Sequence, residues 1–102
     1  MKLNLTEPAF QDLKDIRTYI SETLFSPKAA EDTVQKIIKT YKKLKLQPYM
    51  GASLRSKLNI DTPIRRLVCG DYLVFYEVKE IDDCVDIIRI IRGNRDYIKM
   101  LF

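Results

Sequence analysis

Between Ile64 and Ile91 the chain runs through apolar segments separated by spacers too short for anything but turns. Ile64–Cys69 and Tyr72–Val78 are parted only by Gly70-Asp71, a pair of residues of the kind that closes a β-hairpin. The acidic stretch Lys79–Asp83 then leads into Val85–Ile91. There, apolar residues fall on both faces (Val85, Ile87, Ile91 and Ile88, Ile90), the pattern of a strand covered on both sides. Strands joined so briefly must pair antiparallel, since a parallel return needs a long crossover. Arginines stand at the ends and margins of these strands: Arg65, Arg66, Arg89, Arg92 and Arg95. A guanidinium is charged at any physiological pH and is costly to bury without a partner. The sheet's margin is therefore expected to meet an anion, either nucleic-acid phosphate or an acidic protein.

Upstream, Leu3 and Leu5 alternate with polar residues and predict a short first strand. Thr6-Glu7-Pro8 opens a helix: Thr6 as cap, Glu7 complementing the dipole, Pro8 where a missing N–H costs nothing. Phe10, Leu13, Ile16, Ile20 and Leu24 continue it at spacings of three and four. Ser26-Pro27 repeats the device, and Ala30, Val34, Ile37, Ile38, Tyr41 and Leu44 form the apolar face of a second helix that Pro48 stops. Lys28, Lys36, Lys39, Lys42, Lys43 and Lys45 fall mostly on its other side, the usual place for a solvated face. Residues Tyr49–Pro63, which carry Arg55 and Lys57, show no period and are expected to be a loop. The tail from Asp96 to Phe102 is expected to be helical or extended, with Met100, Leu101 and Phe102 packed against something apolar. The order is β-α-α-β-β-β: an α+β fold with a helical hairpin packed on an antiparallel sheet, and a single domain over residues 1–102.

The 102 residues carry a net charge of +4, mild for a dedicated nucleic-acid coat protein. No apolar run approaches the length of a membrane span, and the alternating start lacks the apolar core of a signal peptide, so a cytoplasmic address and no membrane partner are expected. Cys69 and Cys84 belong to opposite ends of one strand, roughly 20 Å apart, too far for a disulfide. Two thiols make a poor metal site; no metal and no cofactor are expected.

Leu5-Thr6-Glu7-Pro8-Ala9 with Asp12-Leu13-Lys14-Asp15-Ile16, Ser26-Pro27-Lys28-Ala29-Ala30, Leu46-Gln47-Pro48-Tyr49-Met50-Gly51, Arg65-Arg66-Leu67, Tyr72-Leu73-Val74-Phe75-Tyr76, Ile87-Ile88-Arg89-Ile90-Ile91 and Gly93-Asn94-Arg95-Asp96 occur in that order. As an ordered set they resemble the RelE/ParE superfamily, the toxic halves of type II toxin–antitoxin pairs, and the helical half and Arg-Asp ending look more like the ParE branch. The resemblance implies a cognate antitoxin whose acidic and apolar segment covers the basic groove. It also implies a target, either DNA gyrase, which ParE members block, or the ribosome and its mRNA, which RelE members cut without metal by driving a 2′-hydroxyl onto the neighbouring phosphate.

Such cleavage needs a base, a proton donor for the leaving oxygen and positive charge at the phosphorane. The chain has no histidine. Where many relatives carry His before the Gly-x-Arg segment it has Arg92, a very poor base, and where RNA-cutting relatives place arginine after the aromatic it has Leu73. Arg66 and Arg95 match basic positions of the cutting relatives and are the catalytic candidates if the protein is a nuclease. Arg65, Arg92, Lys57 and Tyr72 are the candidates for gripping an anionic target, Tyr72 by stacking. Arg65 and Arg66, adjacent in a strand, must point to opposite faces. Arg89, among isoleucines, is expected to pair with Glu77 or Asp86. The residues favour a gyrase-binding toxin, with an mRNA endonuclease as the alternative and a member that has lost toxicity as a third. With an antitoxin to cover it, the free domain is expected to expose an apolar patch across the helical hairpin or beside the last strand.

Overall fold

A computed structural model describes residues 1–102. The alternating opening segment is strand β1 (Lys2–Leu5), followed by helix α1 (Glu7–Thr18), whose final turn widens to π-helical over Tyr19–Thr23. Thr6 caps α1, its hydroxyl accepting from the Ala9 N–H at 3.4 Å. Helix α2 (Pro27–Lys42) opens on Ser26, whose hydroxyl accepts from the Ala29 N–H, and tightens to a 3-10 turn over Lys43–Lys45. Then come β2 (Ala52–Ser53), the short α3 (Leu54–Leu58), β3 (Arg65–Cys69), β4 (Tyr72–Lys79), β5 (Cys84–Arg92) and the tail helix α4 (Tyr97–Leu101). No helix is long and apolar enough to cross a membrane.

The five strands lie in the order β1-β5-β4-β3-β2. The hairpins β3–β4 and β4–β5 are antiparallel as expected. β1, however, joins the far edge parallel to β5, with Leu3 beside Val85 and Leu5 beside Ile87, so the sheet is mixed rather than wholly antiparallel. The α1–α2 hairpin between them supplies the long crossover that parallel pairing needs.

The helical hairpin covers one face of the sheet. Ala9, Leu13, Val34, Ile37, Tyr41 and Leu44 meet Leu67, Val74, Tyr76, Val85, Ile87 and Ile90 there, all of them buried. Ile38 is only half-buried at the side of this contact.

The other face carries a second, smaller core of Leu54, Leu73, Phe75 and Ile91, roofed by Leu58, Ile64, Tyr97, Met100 and Leu101. This corrects the expectation of a structureless segment from Tyr49 to Pro63. Fully buried Leu54 draws that segment onto the sheet, where β2 pairs Ala52 with Arg66 and Ser53 with Arg65, and α3 follows. A five-residue helix is too short to register as a periodic pattern. The tail packs as expected through Met100 and Leu101, but Phe102 is 59% exposed and does not join them.

Gly51 fixes how the segment before β2 reaches the sheet. Its N–H donates to the buried Tyr76 hydroxyl at 3.0 Å. A Cβ at this position would stand 2.4 Å from the Arg66 carbonyl oxygen and 2.7 Å from the Tyr76 hydroxyl, so only glycine fits. Gly51→Ala is expected to cost about 2–3 kcal/mol, on the scale of overpacking plus a lost buried hydrogen bond, and to lower the urea midpoint accordingly.

At the opposite end of the sheet Asp86 ties three strands together. Its carboxylate takes the Lys79 ammonium at 2.9 Å and the Asn4 amide at 3.1 Å. The Lys79 contact, ahead of the other influences, lowers the Asp86 pKa. A carboxylate whose pKa is depressed by folding stabilises the fold above its unfolded value near 4, and that contribution disappears as pH falls through the native value. Asp86→Asn is expected to flatten the stability–pH curve as pH falls below about 4, measured by urea unfolding at each pH.

Candidate target-binding cleft

Beyond Ile87 the outer edge of β5 has no strand beside it, because β1 ends at Leu5. Side chains satisfy that edge instead. The Thr6 hydroxyl lies 2.8 Å from the Ile87 carbonyl and 3.1 Å from that of Ile88, and the Thr6 N–H also donates to Ile87. At Ile88 the strand bulges, with Tyr76 opposite Ile87 but Phe75 opposite Arg89. The next free N–H, that of Ile90, donates to Asp12 Oδ2 at 2.9 Å.

The same carboxylate holds Arg89 in a bidentate pair, Nε to Oδ2 at 2.7 Å and Nη2 to Oδ1 at 2.9 Å. Asp12 raises the Arg89 pKa, chiefly through the hydrogen bond. Arg89 is thus an ion-pair partner, as the sequence predicts, but of Asp12 on α1 rather than Glu77 or Asp86. Asp86 is taken by Lys79, and Glu77 also faces that lysine.

Past this clasp the end of β5 and the π-helical end of α1 border an open cleft of about 690 Å³. Arg92, Asn94 and Arg95 line one side, Tyr19 and Asp15 the other, with Tyr72 and Met100 between. The turn after β5 is fixed by its own backbone: Gly93 N–H donates to the Asp71 carbonyl at 2.8 Å, and Arg95 N–H to that of Arg92 at 3.1 Å. Arg92 lies directly opposite Tyr72 across the β4–β5 ladder. Burial raises the Tyr72 hydroxyl pKa against the opposing pull of Arg92, so it stays protonated and can donate. Arg92 and Arg95 are exposed and neither has a carboxylate partner. The cleft offers two free guanidinium groups and a donor hydroxyl to an anion, and two aromatic rings against which the apolar part of a ligand can pack.

The other expected site residues lie elsewhere. Arg66 is on the opposite face of the sheet, where Nη1 reaches the Tyr97 hydroxyl at 3.3 Å, and it has no acidic partner. Exposed Lys57 sits on α3, which covers that same face. Arg65 points the other way, as strand alternation requires, but it is engaged internally. Its Nη2 donates to the carbonyls of Gly51 at 2.6 Å and Tyr49 at 3.2 Å, and the guanidinium lies over the Tyr49 ring at 5.2 Å. Tyr49 in turn hydrogen-bonds Glu80. Arg65 fastens the segment before β2 and is not free to grip a target. Leu73, at the position where RNA-cutting relatives carry arginine, is buried with Phe75 and Ile91 under the tail helix.

The cleft also contains residues that sequence reasoning passed over: Asp12, Asp15, Tyr19 and Asn94. Tyr19 had one usable signal, an aromatic off the apolar stripe of its helix. Asp12 had another, a carboxylate next to buried Leu13 in a chain with one arginine stranded among isoleucines.

The family model described as the ParE toxin of the type II toxin–antitoxin system, parDE, matches residues 3–97. Among solved structures, a chain of the chromosomal ParDE TA system from P. aeruginosa is 27% identical and superposes with a TM-score of 0.74, the match covering 90% of this chain and 95% of that one. Among curated proteins no match is found.

Asp12→Ala is expected to destabilise the protein by about 3 kcal/mol, because it strands a partly buried guanidinium and an edge N–H together. Asp12→Asn keeps an acceptor for Ile90 and is expected to cost less. Chemical denaturation of both variants, with amide exchange at Ile90, measures the two contributions.

Proposed function

The chain belongs to the ParE toxin family of type II toxin–antitoxin systems, and from that premise we propose that it arrests growth by binding and blocking DNA gyrase, without cutting RNA. The observation that carries this reading is the apolar burial of Leu73. Where RNA-cutting relatives need a cation there is a closed hydrophobic cluster, and the chain has no histidine to act as base. Arg66 and Arg95 match nuclease positions, yet Arg66 lies on the opposite face from the cleft that Arg95 lines. Two free guanidinium groups and two aromatic rings suit capture of an acidic protein surface, which requires no proton transfer.

A cognate antitoxin is the second partner. Next to the cleft, at the tip of the helical hairpin, Tyr19, Leu24 and Phe25 are exposed, Phe25 at 87%. Phe25 also has a φ of 53°, a conformation that disfavours any side chain. An antitoxin segment combining apolar and acidic residues would cover this tip and neutralise Arg92 and Arg95 together. Both encounters take place in the cytoplasm.

The purified toxin is expected to inhibit supercoiling of relaxed plasmid by DNA gyrase while mRNA in a translation extract stays whole. Replacing Arg92 and Arg95 together by alanine is expected to raise the half-inhibiting concentration at least tenfold, the scale of one charge-assisted hydrogen bond of about 1.5 kcal/mol. Cut mRNA with normal supercoiling would reinstate the endonuclease, and normal growth on expression without antitoxin would mark a non-toxic member.

A further inference from the structure

The net positive charge of this protein is concentrated in one stretch of the chain. From Thr33 to Ile60 there are seven basic residues and no acidic one, whereas the remainder carries eleven basic against fourteen acidic residues. Most of that charge lies on the last turns of α2 and just beyond: Lys36, Lys39, Lys42, Lys43 and Lys45, all exposed. None of them is in an ion pair. Lys36, Lys39 and Lys43, three and four apart, project from one side of the helix along about 10 Å of its axis. Lysines in the last helical turn answer the helix dipole, but Lys36 stands a turn earlier and that account does not reach it.

We infer that this lysine face is a docking surface for the phosphate backbone of duplex DNA, separate from the arginine cleft. The character of the face selects the occupant. A shallow groove along it is lined by Asp32, Gln35, Lys36, Ile38, Lys39 and Lys42, of which only Ile38 is apolar. None of the large exposed apolar side chains of the protein is on α2; Leu46 follows Lys45 just beyond it. A protein partner needs an apolar centre in its interface, and lysine is depleted there. Single-stranded nucleic acid needs aromatic platforms for its bases, and this face presents none. Contact with the backbone of a duplex needs neither; it needs mobile point charges that displace the cations condensed on the DNA, and a duplex offers the densest line of phosphates. The contact is therefore independent of base sequence and rests on lysines, whereas the cleft rests on arginines and tyrosines.

The test is fluorescence anisotropy of the full chain with a 20-base-pair duplex across a salt series, with circular dichroism confirming that each variant folds. Binding is expected to weaken about a hundredfold between 50 and 200 mM salt, as four or so phosphate contacts dictate. Replacing Lys36, Lys39 and Lys43 by glutamine is expected to weaken binding at least tenfold at 100 mM salt and to flatten the log–log salt slope by about 3. Replacing Lys2, Lys14 and Lys99 removes the same net charge from other surfaces and is expected to change little. Replacing Arg92 and Arg95 is expected to leave duplex binding intact, which separates this result from any outcome for gyrase. The inference is overturned if the wild type does not bind the duplex or if both lysine triples act alike. It is equally overturned if single-stranded DNA, duplex RNA or polyglutamate binds as tightly.

Discussion

The carboxylate of Asp12 is the contact on which the open edge of β5 and the cleft beside it depend. β1 leaves the sheet at Leu5, so β5 continues for several residues with no strand on its outer side, an arrangement that ordinarily invites aggregation. One side chain from α1 answers two needs at that edge by accepting the Ile90 N–H and pairing with Arg89. This holds the middle of α1 against the strand, and the cleft is bordered by the turns that follow.

That clasp also sorts the arginines by role. Arg89 is consumed by Asp12, and Arg65 by the carbonyls of Tyr49 and Gly51. Arg66 leans on a tyrosine hydroxyl on the far face, and only Arg92 and Arg95 remain free beside the cleft. Five guanidinium groups that look equivalent along the chain thus have four structural fates. The lysines of α2 form another cationic surface with different chemistry, made of flexible ammonium groups with no aromatic neighbours on their side of the helix.

Much of the architecture was legible because it is written in local signals. The Thr6 and Ser26 caps, the two helical stripes and the Gly70-Asp71 turn each act over a few residues, and the elements they predict appear close to the expected ends, except that α2 gives way to a 3-10 turn after Lys42, before Pro48 is reached. What escaped was long-range. The partner of Arg89 comes from 77 residues away, because α1 crosses an edge whose existence depends on where β1 docks. The second core escaped for a similar reason: Leu54 and Ile64 make sense only once Leu73 and Phe75 are known to face them. At the cleft, Arg92, Arg95 and Tyr72 could be singled out because they flank turns and strand ends, whereas Arg65 and Arg66 could be placed on opposite faces but not assigned a task.

The parallel pairing of β1 with β5 has a kinetic consequence. Asn4 and Asp86 meet across 82 residues of intervening chain, the kind of closure that carries the largest entropic cost and forms late. Until β5 has been synthesised, β1 has nothing to bond to and α1 has no strand edge to seal. During translation the helical hairpin can form early, but the arginine-lined cleft does not exist until the last strand is in place. A growing chain therefore lacks that opening for a reason built into its topology, and a binding partner that recognises the hairpin tip alone could engage the chain before the cleft has formed.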